Sequence, residues 1–329
     1  MLSHANFAAN VQQARAAIPY AEDDVIIGVL PLFHIYGMNV LMATCFAARS
    51  TLVLVPKFEP ASFLQTVADY KVTAAFVAPP LVLFLCQSPM VAEYDISPLR
   101  WVMSGAAPLD AATQVSASKQ LAPALVFQAW GMTELSPIAL VDATPLGGGE
   151  ITPGAAGVLP PSTEGIVADP VTGEPLPPGE LGELLIRGPQ RMIGYLNRPD
   201  ATAETIRPDG FLRTGDLAYY DDSGVVWVCD RLKELIKVKG LQVAPAELEA
   251  TLLENEEILD AAVIGIPDER AGQVPKAFVV ARPGAALTVE GVIEAMAKTL
   301  APYKLPGEVI FVDSVPKSPS GKILRRMLS

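Results

Sequence analysis

The sequence predicts an α/β fold with a mostly parallel sheet, followed by a small β-barrel-like part and a compact α+β part. Short apolar strands alternate with helices as far as about residue 145. This alternation is typical of a parallel sheet that is covered on both faces. Glycine and proline become frequent from about residue 146, and the composition changes again near Arg231. Three segments are therefore predicted, spanning residues 1–145, 146–230 and 231–329.

The first segment contains the alternating elements of the predicted parallel sheet. Short apolar runs indicate its strands, and the longer patterns between them indicate helices. In chain order, the predicted elements are strand Val25–Leu30, a helix from about Met38, strand Ser50–Pro56, helix Pro60–Tyr70, strand Thr73–Ala78, helix Leu81–Gln87, strand Trp101–Ser104, helix Asp110–Leu121 and strand Leu125–Phe127.

One stretch of the first segment needs a separate argument, because Val25 to Ala48 contains no Asp, Glu, Lys or Arg. Its length would be enough to span a bilayer. It is interrupted by residues that do not suit a membrane helix, namely Gly28, Pro31, His34, Gly37 and Asn39. We therefore predict a buried strand, a loop and a buried helix here, and no membrane span.

The second and third segments contain shorter elements. In the second, the predicted strands are Gly182–Arg187, Gly210–Tyr220 and Val225–Cys229, with a hairpin turn at Asp221–Gly224. These strands favour a small β-barrel or a twisted antiparallel sheet. The third segment is predicted to contain helix Pro245–Asn255, strands Asp260–Ile266 and Lys276–Ala281, helix Val289–Leu300 and strand Glu308–Val312.

The composition argues against several classes of protein. The net charge of −12 and the pI near 4.7 disfavour a nucleic-acid binder, which needs a basic stripe. An acidic chain can still hold a nucleotide, since a local group of lysines is enough to bind phosphate. Cys45, Cys86 and Cys229 are odd in number and widely spaced, which indicates reduced, buried thiols and no disulfide frame or metal site. Because the N-terminus does not look like a secretory signal, we expect a cytoplasmic protein.

The stretch from Gln128 to Glu134 combines an aromatic ring, a glycine, a hydroxyl and a carboxylate. It follows an apolar strand, and a loop at a strand end is where α/β sheets place ligands. Trp130 offers a flat face for a base, Thr133 can donate to a phosphate oxygen, and Glu134 is a hard ligand that suits Mg²⁺. The alternative is an ordinary loop with a buried tryptophan and an exposed glutamate.

Further polar side chains follow later in the chain. Asp216 could accept hydrogen bonds from both hydroxyls of a ribose, and Arg231 could orient the same nucleotide. Lys322 lies on a loop rich in serine, glycine and proline. Lysines also recur at positions 233, 237 and 239, where a solvated strand face is the simpler explanation.

Taken in order, these motifs resemble those of the adenylate-forming (AMP-binding) enzymes over the whole chain. Within that superfamily the sequence is most similar to 4-coumarate–CoA ligases and related acyl-CoA synthetases. Firefly luciferase is a relative with the same general arrangement. The motifs concerned are Pro31-Leu32-Phe33-His34-Ile35-Tyr36-Gly37, Ser104-Gly105-Ala106-Ala107-Pro108-Leu109, Gly131-Met132-Thr133-Glu134, Tyr195, Thr214-Gly215-Asp216, Asp230-Arg231-Leu232-Lys233-Glu234 and Pro319-Ser320-Gly321-Lys322.

The resemblance implies a large adenylation domain, present here in part, followed by a small, mobile C-terminal lid domain. It also implies an ATP-dependent carboxylate–CoA ligase that uses Mg²⁺. In such an enzyme a carboxylate attacks the α-phosphorus of ATP to give an acyl-adenylate and pyrophosphate. The thiol of coenzyme A then displaces AMP to give a thioester. The expected partners are therefore a small carboxylic acid, ATP and coenzyme A.

The resemblance assigns roles to single residues. Lys322 would be the catalytic cation of the first half-reaction, and Glu134 would hold the metal. Lys237 and Gln242 would serve the second half-reaction, after the lid turns about a hinge at Lys233. The other implied positions are Ala106, Gln128, Ala129, Trp130, Thr133, Asp216 and Arg231 for the nucleotide, His34 and Tyr36 for the acyl pocket, and Lys57, Lys239 and Gly240 for coenzyme A.

The chain departs from the family pattern at its start. The phosphate-binding loop of relatives precedes the counterpart of Met1-Leu2-Ser3-His4, so we expect the 329-residue chain to adenylate poorly. Two alternatives stay open, namely an inactive fragment or pseudoenzyme and a luciferase-like adenylating oxygenase. Lys322 is also a candidate for acetylation, which would remove the charge that adenylation needs. The sequence does not indicate which carboxylic acid is used.

Overall fold

The computed structural model describes residues 1–142, 151–318 and 322–328. The chain divides into two compact units, of which the first comprises Met1–Thr214 and Ala218–Val228. The second comprises Gly215–Leu217 and Cys229–Ser329. The predicted boundary at residue 146 lies outside the described residues, and the one at residue 231 is close to the division after Val228. The division into three segments stays a prediction.

The first unit is built on a six-stranded sheet. Its strands are β1 Val25–Gly28, β2 Thr51–Leu54, β3 Ala74–Val77, β4 Trp101–Ser104, β5 Leu125–Gly131 and β6 Ile138–Val141. They lie in the order β2-β1-β3-β4-β5-β6. Pairing is parallel from β2 through to β5 and antiparallel between β5 and β6. The predicted α/β fold with a mostly parallel sheet is therefore confirmed.

Helices cover both faces of this sheet. They are α1 His4–Ala17, a π-helix Tyr36–Ala43 that continues as α2 Thr44–Ala48, α3 Pro60–Asp69, α4 Pro79–Gln87 and α5 Ala111–Gln120. Neighbouring residues of a strand point to opposite faces. Ala75 and Val77 of β3 accordingly pack in one core with α3, α4 and α5, whereas Ala74 and Phe76 pack in another with α1 and the π-helix.

Two helices of the first unit differ from the sequence-based expectation. Sequence patterns do not indicate α1, because its buried face consists of Asn10, Gln13 and Ala14 and lacks an apolar stripe. A capping box between Ser3 and Asn6 starts this helix instead. The helix expected from about Met38 begins earlier as the π-helix, a conformation that is frequent at functional sites.

Four further strands form a second sheet. They are β7 Glu164–Ala168, β8 Gly182–Arg187, β9 Leu212–Tyr220 and β10 Val226–Arg231, in the order β10-β9-β8-β7. A short helix, α6 Pro199–Thr205, precedes β9. The turn after β9 is stabilised by Asp221, whose Oδ1 accepts hydrogen bonds from the backbone of Ser223 and Val225 at 2.9 and 3.0 Å. The predicted hairpin turn is therefore present.

A short bridging segment links the two sheets of the first unit. Val158 pairs with Val141 of β6, and Gly157 pairs with Val226 of β10. Gly157 has a φ of +106°, and a Cβ atom at this position would lie 2.0 Å from the carbonyl carbon and oxygen of Val141. The residue must therefore be glycine, both for its backbone conformation and for the close approach.

We expect Gly157→Ala to lower the free energy of unfolding by about 3–5 kcal/mol, because the backbone of Val141 would have to move. Gly224→Ala is the matched control, since Gly224 also has a positive φ of +83° but faces open space. It should cost only about 1–2 kcal/mol. Urea unfolding of the two variants checks this, and equal losses would contradict it.

The second unit contains a five-stranded sheet and two helices. Its elements are β11 Ile236–Val238, β12 Leu241–Val243, α7 Pro245–Leu253, β13 Ile258–Asp268, β14 Gly272–Ala281, α8 Val289–Met296 and β15 Glu308–Phe311. The sheet has the order β12-β11-β14-β13, and β15 pairs with β14. Leu248 of α7 and Val292 of α8 pack against Val263 and Val279 in its core. None of the helices in the described ranges is long and apolar enough to cross a membrane.

Candidate functional site

The residues that follow Phe127 lie on a strand, so the expectation of a loop there is wrong. Strand β5 continues to Gly131, because β6 turns back and pairs with it: Ala129 lies opposite Val141, and Trp130 opposite Leu140. The 3₁₀-helix Thr133–Leu135 follows. Ala129 and Trp130 are half-buried, whereas Thr133 is exposed.

Gln128 is buried, and its side-chain amide is engaged by the protein itself. Its Oε1 accepts a hydrogen bond from the backbone N–H of Leu109 at 2.8 Å. Its Nε2 donates to the carbonyl of Leu109 at 2.8 Å and to Oε1 of Gln114 at 2.9 Å. Both amide protons are therefore in use, and the side chain fixes the end of the turn that contains Ala106. A role for Gln128 towards a nucleotide would act through that turn.

The turn after β4 is packed against Tyr36. Ala106 is exposed and has a φ of +75°, which is rare for a residue other than glycine. A Cβ atom on the preceding Gly105 would lie 3.1 Å from the ring of Tyr36, whose hydroxyl donates to the carbonyl of Met103 at 3.3 Å. Tyr36 is buried, and its ring packs directly beneath this turn.

His34 is half-buried beside Tyr36. Its Nδ1 accepts a hydrogen bond from the backbone N–H of Tyr36 at 3.2 Å. Desolvation lowers the pKa of His34, so that the neutral imidazole is favoured at pH 7.

Glu134 is held in place by two hydrogen bonds, one to its side-chain carboxylate and one to its backbone carbonyl. The hydroxyl of Tyr195 donates to Oε1 of Glu134 at 2.8 Å, and the backbone N–H of Met192 donates to the Glu134 carbonyl at 2.7 Å. Desolvation raises the pKa of Tyr195, and its hydrogen bond to Glu134 adds to this, so the phenol stays protonated and remains a donor. Sequence reasoning places Tyr195 in a family motif but gives it no role.

A single oriented carboxylate is the ligand set that Mg²⁺ accepts when water and substrate phosphates supply the rest. Within the described ranges there is no group of three His, Cys, Asp or Glu side chains that could hold a metal alone. Glu134 therefore fits a metal that arrives with a nucleotide better than a permanent metal centre.

Ser136, which directly follows the 3₁₀-helix that contains Glu134, is held by a buried network of hydrogen bonds. Ser136 has a φ of +68°, its carbonyl accepts from Nδ2 of Asn39 at 2.6 Å, and its hydroxyl donates to the carbonyl of Gln190 at 2.8 Å. Oε1 of Gln190 in turn accepts from Nε2 of Gln13 at 3.0 Å. No sequence signal marks these amides, because the partners are far apart in the chain.

The second unit contains a separate group of charged residues. Asp216 on β9 is buried, and its Oδ1 lies 3.1 Å from Nε of Arg231 at the end of the neighbouring β10. The two residues that the resemblance assigns to the ribose and the nucleotide are therefore paired in the fold. Because Arg231 is only partly buried, the pair is accessible from one side.

Lys322 belongs to the same group. Desolvation and the nearby charge of Arg231 lower the pKa of Lys322, against the opposing effects of Glu234 and Asp216. Its backbone N–H donates to Oγ of Ser318 at 3.1 Å, and the Ser318 N–H donates to its carbonyl at 2.8 Å. The rest of the motif, residues 319–321, lies outside the described residues.

The predicted residues of the second half-reaction lie on one hairpin. Lys237 of β11 pairs directly with Gln242 of β12, and both are exposed. Lys239 and Gly240 form the connecting turn with φ values of 51° and 82°, the signs of a type I′ turn. Lys233 lies in the 3₁₀-helix Leu232–Glu234 and is exposed.

The remaining sequence-based expectations concern the first-unit lysine and the thiols. Lys57 is exposed just after β2. The three cysteines are free, but only Cys45 is buried, so the expectation of burial is wrong for Cys86 and Cys229. Desolvation by burial raises the pKa of each thiol to about 11, which keeps all three protonated.

Comparison with known families accounts for this arrangement. The sequence matches the AMP-binding enzyme family over residues 1–196 and the AMP-binding enzyme C-terminal domain over residues 247–322. The chain belongs to the AMP-binding enzyme family. Glu134 and Tyr195 lie in the first matched region of this AMP-binding protein, and Lys322 is the last residue of the second. Asp216, Arg231 and the hairpin lie between the two.

Relatives of this AMP-binding chain include two plant enzymes. 4-coumarate–CoA ligase 2 of Nicotiana tabacum is 45% identical over 333 residues, which cover 100% of this chain and 61% of the relative. The 4-coumarate–CoA ligase of Pinus taeda is 41% identical over 338 residues, covering 100% and 62%. The chain thus spans about three fifths of the length of these relatives.

Solved structures have the same fold. ATP-bound MatB from Rhodopseudomonas palustris is 33% identical with a TM-score of 0.92, covering 100% of this chain and 64% of its own. The anthranilate CoA ligase AuaEII in complex with anthranoyl-AMP is 26% identical with a TM-score of 0.90, covering 99% and 63%. The amide bond synthetase McbA from Marinactinospora thermotolerans is 29% identical with a TM-score of 0.88, covering 99% and 65%.

Proposed function

We propose that this chain contains the adenylate-handling residues of an ATP-dependent carboxylate–CoA ligase. The observation that supports it best is the grouping of Lys322 with the Asp216–Arg231 pair in one unit. An acyl-adenylate needs a cation for its phosphate and a carboxylate for its ribose hydroxyls, and this group offers both. The names of the plant relatives support acid–thiol ligation as the reaction class.

The first half-reaction makes clear demands on these side chains. An oxygen of the substrate carboxylate bonds to the α-phosphorus of ATP, and the bond to the bridging oxygen of pyrophosphate breaks. Negative charge spreads over the phosphoryl oxygens, and the ammonium of Lys322 stabilises it. Asp216 accepts hydrogen bonds from the ribose hydroxyls, while Arg231 pairs with that carboxylate and orients the nucleotide.

In this proposal, residues of the first unit have the following roles. Glu134 holds Mg²⁺, which when bound neutralises phosphate charge, and Tyr195 keeps the carboxylate oriented. Thr133 donates to phosphate. The base is bordered by Ala129 and Trp130, and the turn at Ala106, fixed by Gln128, offers its backbone. His34 and Tyr36 line the acyl pocket.

The second half-reaction uses the hairpin in this proposal. The thiol sulfur bonds to the acyl carbon, AMP leaves, and Lys237 and Gln242 stabilise the departing charge. Lys239, Gly240 and Lys57 contact coenzyme A, and the second unit moves about Lys233 between the two half-reactions.

Lys237→Ala is expected to slow thioester formation from a supplied acyl-adenylate and coenzyme A by about tenfold or more. Adenylate formation should stay within about twofold, because Lys322 is untouched. Thioester is followed by chromatography, with Lys298→Ala as the control for an exposed lysine of the same unit. If Lys237→Ala slows both half-reactions equally, the assignment of the hairpin fails.

We further propose that the 329-residue chain alone binds an acyl-adenylate but forms it slowly, since it spans only about three fifths of the length of its relatives. The test is pyrophosphate exchange by the chain and by a chimera that joins it to the upstream part of the Nicotiana tabacum ligase. Exchange by the chimera alone is the expected result. Rapid exchange by the chain alone would contradict its proposed slow formation of the adenylate. No exchange by either protein would favour the inactive-fragment alternative.

A luciferase-like oxygenase shares the first half-reaction, so the final product must distinguish the ligase from the oxygenase. The chimera is given an acid, ATP and coenzyme A, and both thioester and oxygen uptake are measured. Thioester without oxygen uptake supports the ligase.

The carboxylic acids tested should begin with 4-coumarate, because the plant relatives are named for it. We also propose a cytoplasmic location, which these soluble substrates and the three free cysteine thiols support.

A further inference from the structure

Arg325 forms a network near the C-terminus that none of the proposed chemistry uses. Its Nη2 lies 2.7 and 2.8 Å from the two carboxylate oxygens of Glu249, and its Nη1 lies 3.1 Å from Oε2 of Glu234. Its Nε donates to the carbonyl of Val263 at 3.2 Å. The guanidinium is about four-fifths buried, with a side-chain exposure of 19%. All three nitrogens are therefore engaged, and the planar group has little freedom to turn.

The partners of Arg325 belong to three different elements of the second unit. Glu249 is on α7, Val263 is on β13, and Glu234 ends the 3₁₀-helix that also contains Lys233. Glu249 is itself fixed, because its Oε1 accepts from the backbone N–H of Val263 at 2.8 Å. Arg325 therefore attaches the last described residues of the chain to the body of the unit and to the hinge segment.

The segment that Arg325 anchors is the one that bears Lys322. Ile323 forms a bridge with Lys317, and Leu324 donates to the carbonyl of Pro316 at 2.9 Å. On the other side, Nζ of Lys317 lies 2.6 Å from Oδ2 of Asp260. Lys322 thus lies between two charged anchors, Lys317 before it and Arg325 after it.

We propose that Arg325 is a positioning residue for Lys322: it holds the segment that contains Lys322 against the body of the second unit. This rests on the proposed role of Lys322. The charges that act on Lys322 are those of Arg231, Glu234, Asp216 and Lys233, so Arg325 exerts its effect through the backbone and through Glu234. A displaced cation would cost rate in the first half-reaction and leave the second unaffected.

The first experiment needs no catalytic activity. The 329-residue chain is acylated with acetic anhydride across a pH range, and mass spectrometry gives the midpoint of labelling for Lys322 and for Lys298, which are both exposed. In the unaltered chain the Lys322 midpoint is expected at lower pH, because its surroundings lower its pKa. In R325Q it should move up to that of Lys298. In R326Q, which removes the neighbouring exposed arginine, it should not move.

The second experiment separates positioning from mere stability. In the chimera, R325Q should lower acyl-adenylate formation by about tenfold or more, because a small misplacement of a catalytic group is costly. The KM for ATP and the rate of thioester formation from supplied acyl-adenylate should stay within about twofold. An unaltered chimera that forms no adenylate would count against the proposed function, while the labelling result would still judge the role of Arg325.

E249Q is a milder second variant that tests the same proposal if R325Q does not fold. This variant keeps an acceptor for Val263 but weakens the paired contact with Arg325, so a smaller change in the same direction is expected. Circular dichroism shows which variants fold. If the folded variants leave both the labelling midpoint and the adenylation rate of Lys322 unchanged, the proposal is overturned. If R325Q folds but slows both half-reactions equally, it is also overturned, since that is the behaviour of a purely structural residue.

Discussion

Replacing Lys322 with alanine is expected to slow acyl-adenylate formation by about 10²–10³-fold, the usual loss when one group that stabilises transition-state charge is removed. Lys322 is the cation grouped with Asp216 and Arg231, and its lowered pKa reflects partial desolvation. The rate is measured in a single turnover with labelled ATP, in the chimera with the tobacco upstream part.

Lys298→Ala is the control for this experiment, since Lys298 is an exposed lysine of the same unit. Its rate should match that of the unaltered chimera. Thioester formation from a supplied acyl-adenylate should also be preserved in Lys322→Ala, because that step does not use the ammonium. An adenylation rate that stays at its original value would exclude Lys322 as the catalytic cation.

Asp216→Ala is expected to weaken binding of a non-hydrolysable acyl-AMP analogue by about 10²-fold, since each hydrogen bond to a charged acceptor contributes about 1.5–3 kcal/mol. The substitution removes the proposed acceptor for both ribose hydroxyls. It also removes the partner of Arg231 at 3.1 Å, so that the guanidinium loses its orientation. Titration calorimetry with the 329-residue chain measures the affinity and needs no turnover.

Two variants accompany this measurement. Asp216→Asn keeps the shape but removes the charge, and it should lie between the alanine variant and the original chain. Asp222→Ala changes an exposed aspartate in the turn after β9 and should bind normally. Binding that is equally tight in Asp216→Ala would show that the ribose is held elsewhere.

The order of elements in both units could be read from the sequence. Strands β3 and β4 are buried on both faces, so they are continuous apolar runs that stand out between helices. The start of α3 at Pro60 is equally local, because proline suits the first turn of a helix. Helix α1 is the exception, since Asn10 and Gln13 are buried through hydrogen bonds that no periodic pattern reveals.

The continuation of β5 shows a second limit. Gln128 to Gly131 contain a glutamine and a glycine in a motif known for binding, which indicates a loop. They form a strand because Ile138–Val141 returns and pairs with them. Pairing between strands is a tertiary choice, and the local sequence carries only a weak preference for it.

The sequence by itself determined the family, the chemical types of the site residues and their order along the chain. Only the tertiary structure decided which of them pair: Asp216 with Arg231, Glu134 with Tyr195, and Lys237 with Gln242. It also decided that Gln128 serves the protein backbone and that Arg325 anchors the segment of Lys322. The physical reason is that side-chain chemistry is a property of each residue, whereas distance, burial and a shared hydrogen bond exist only after remote segments have packed together.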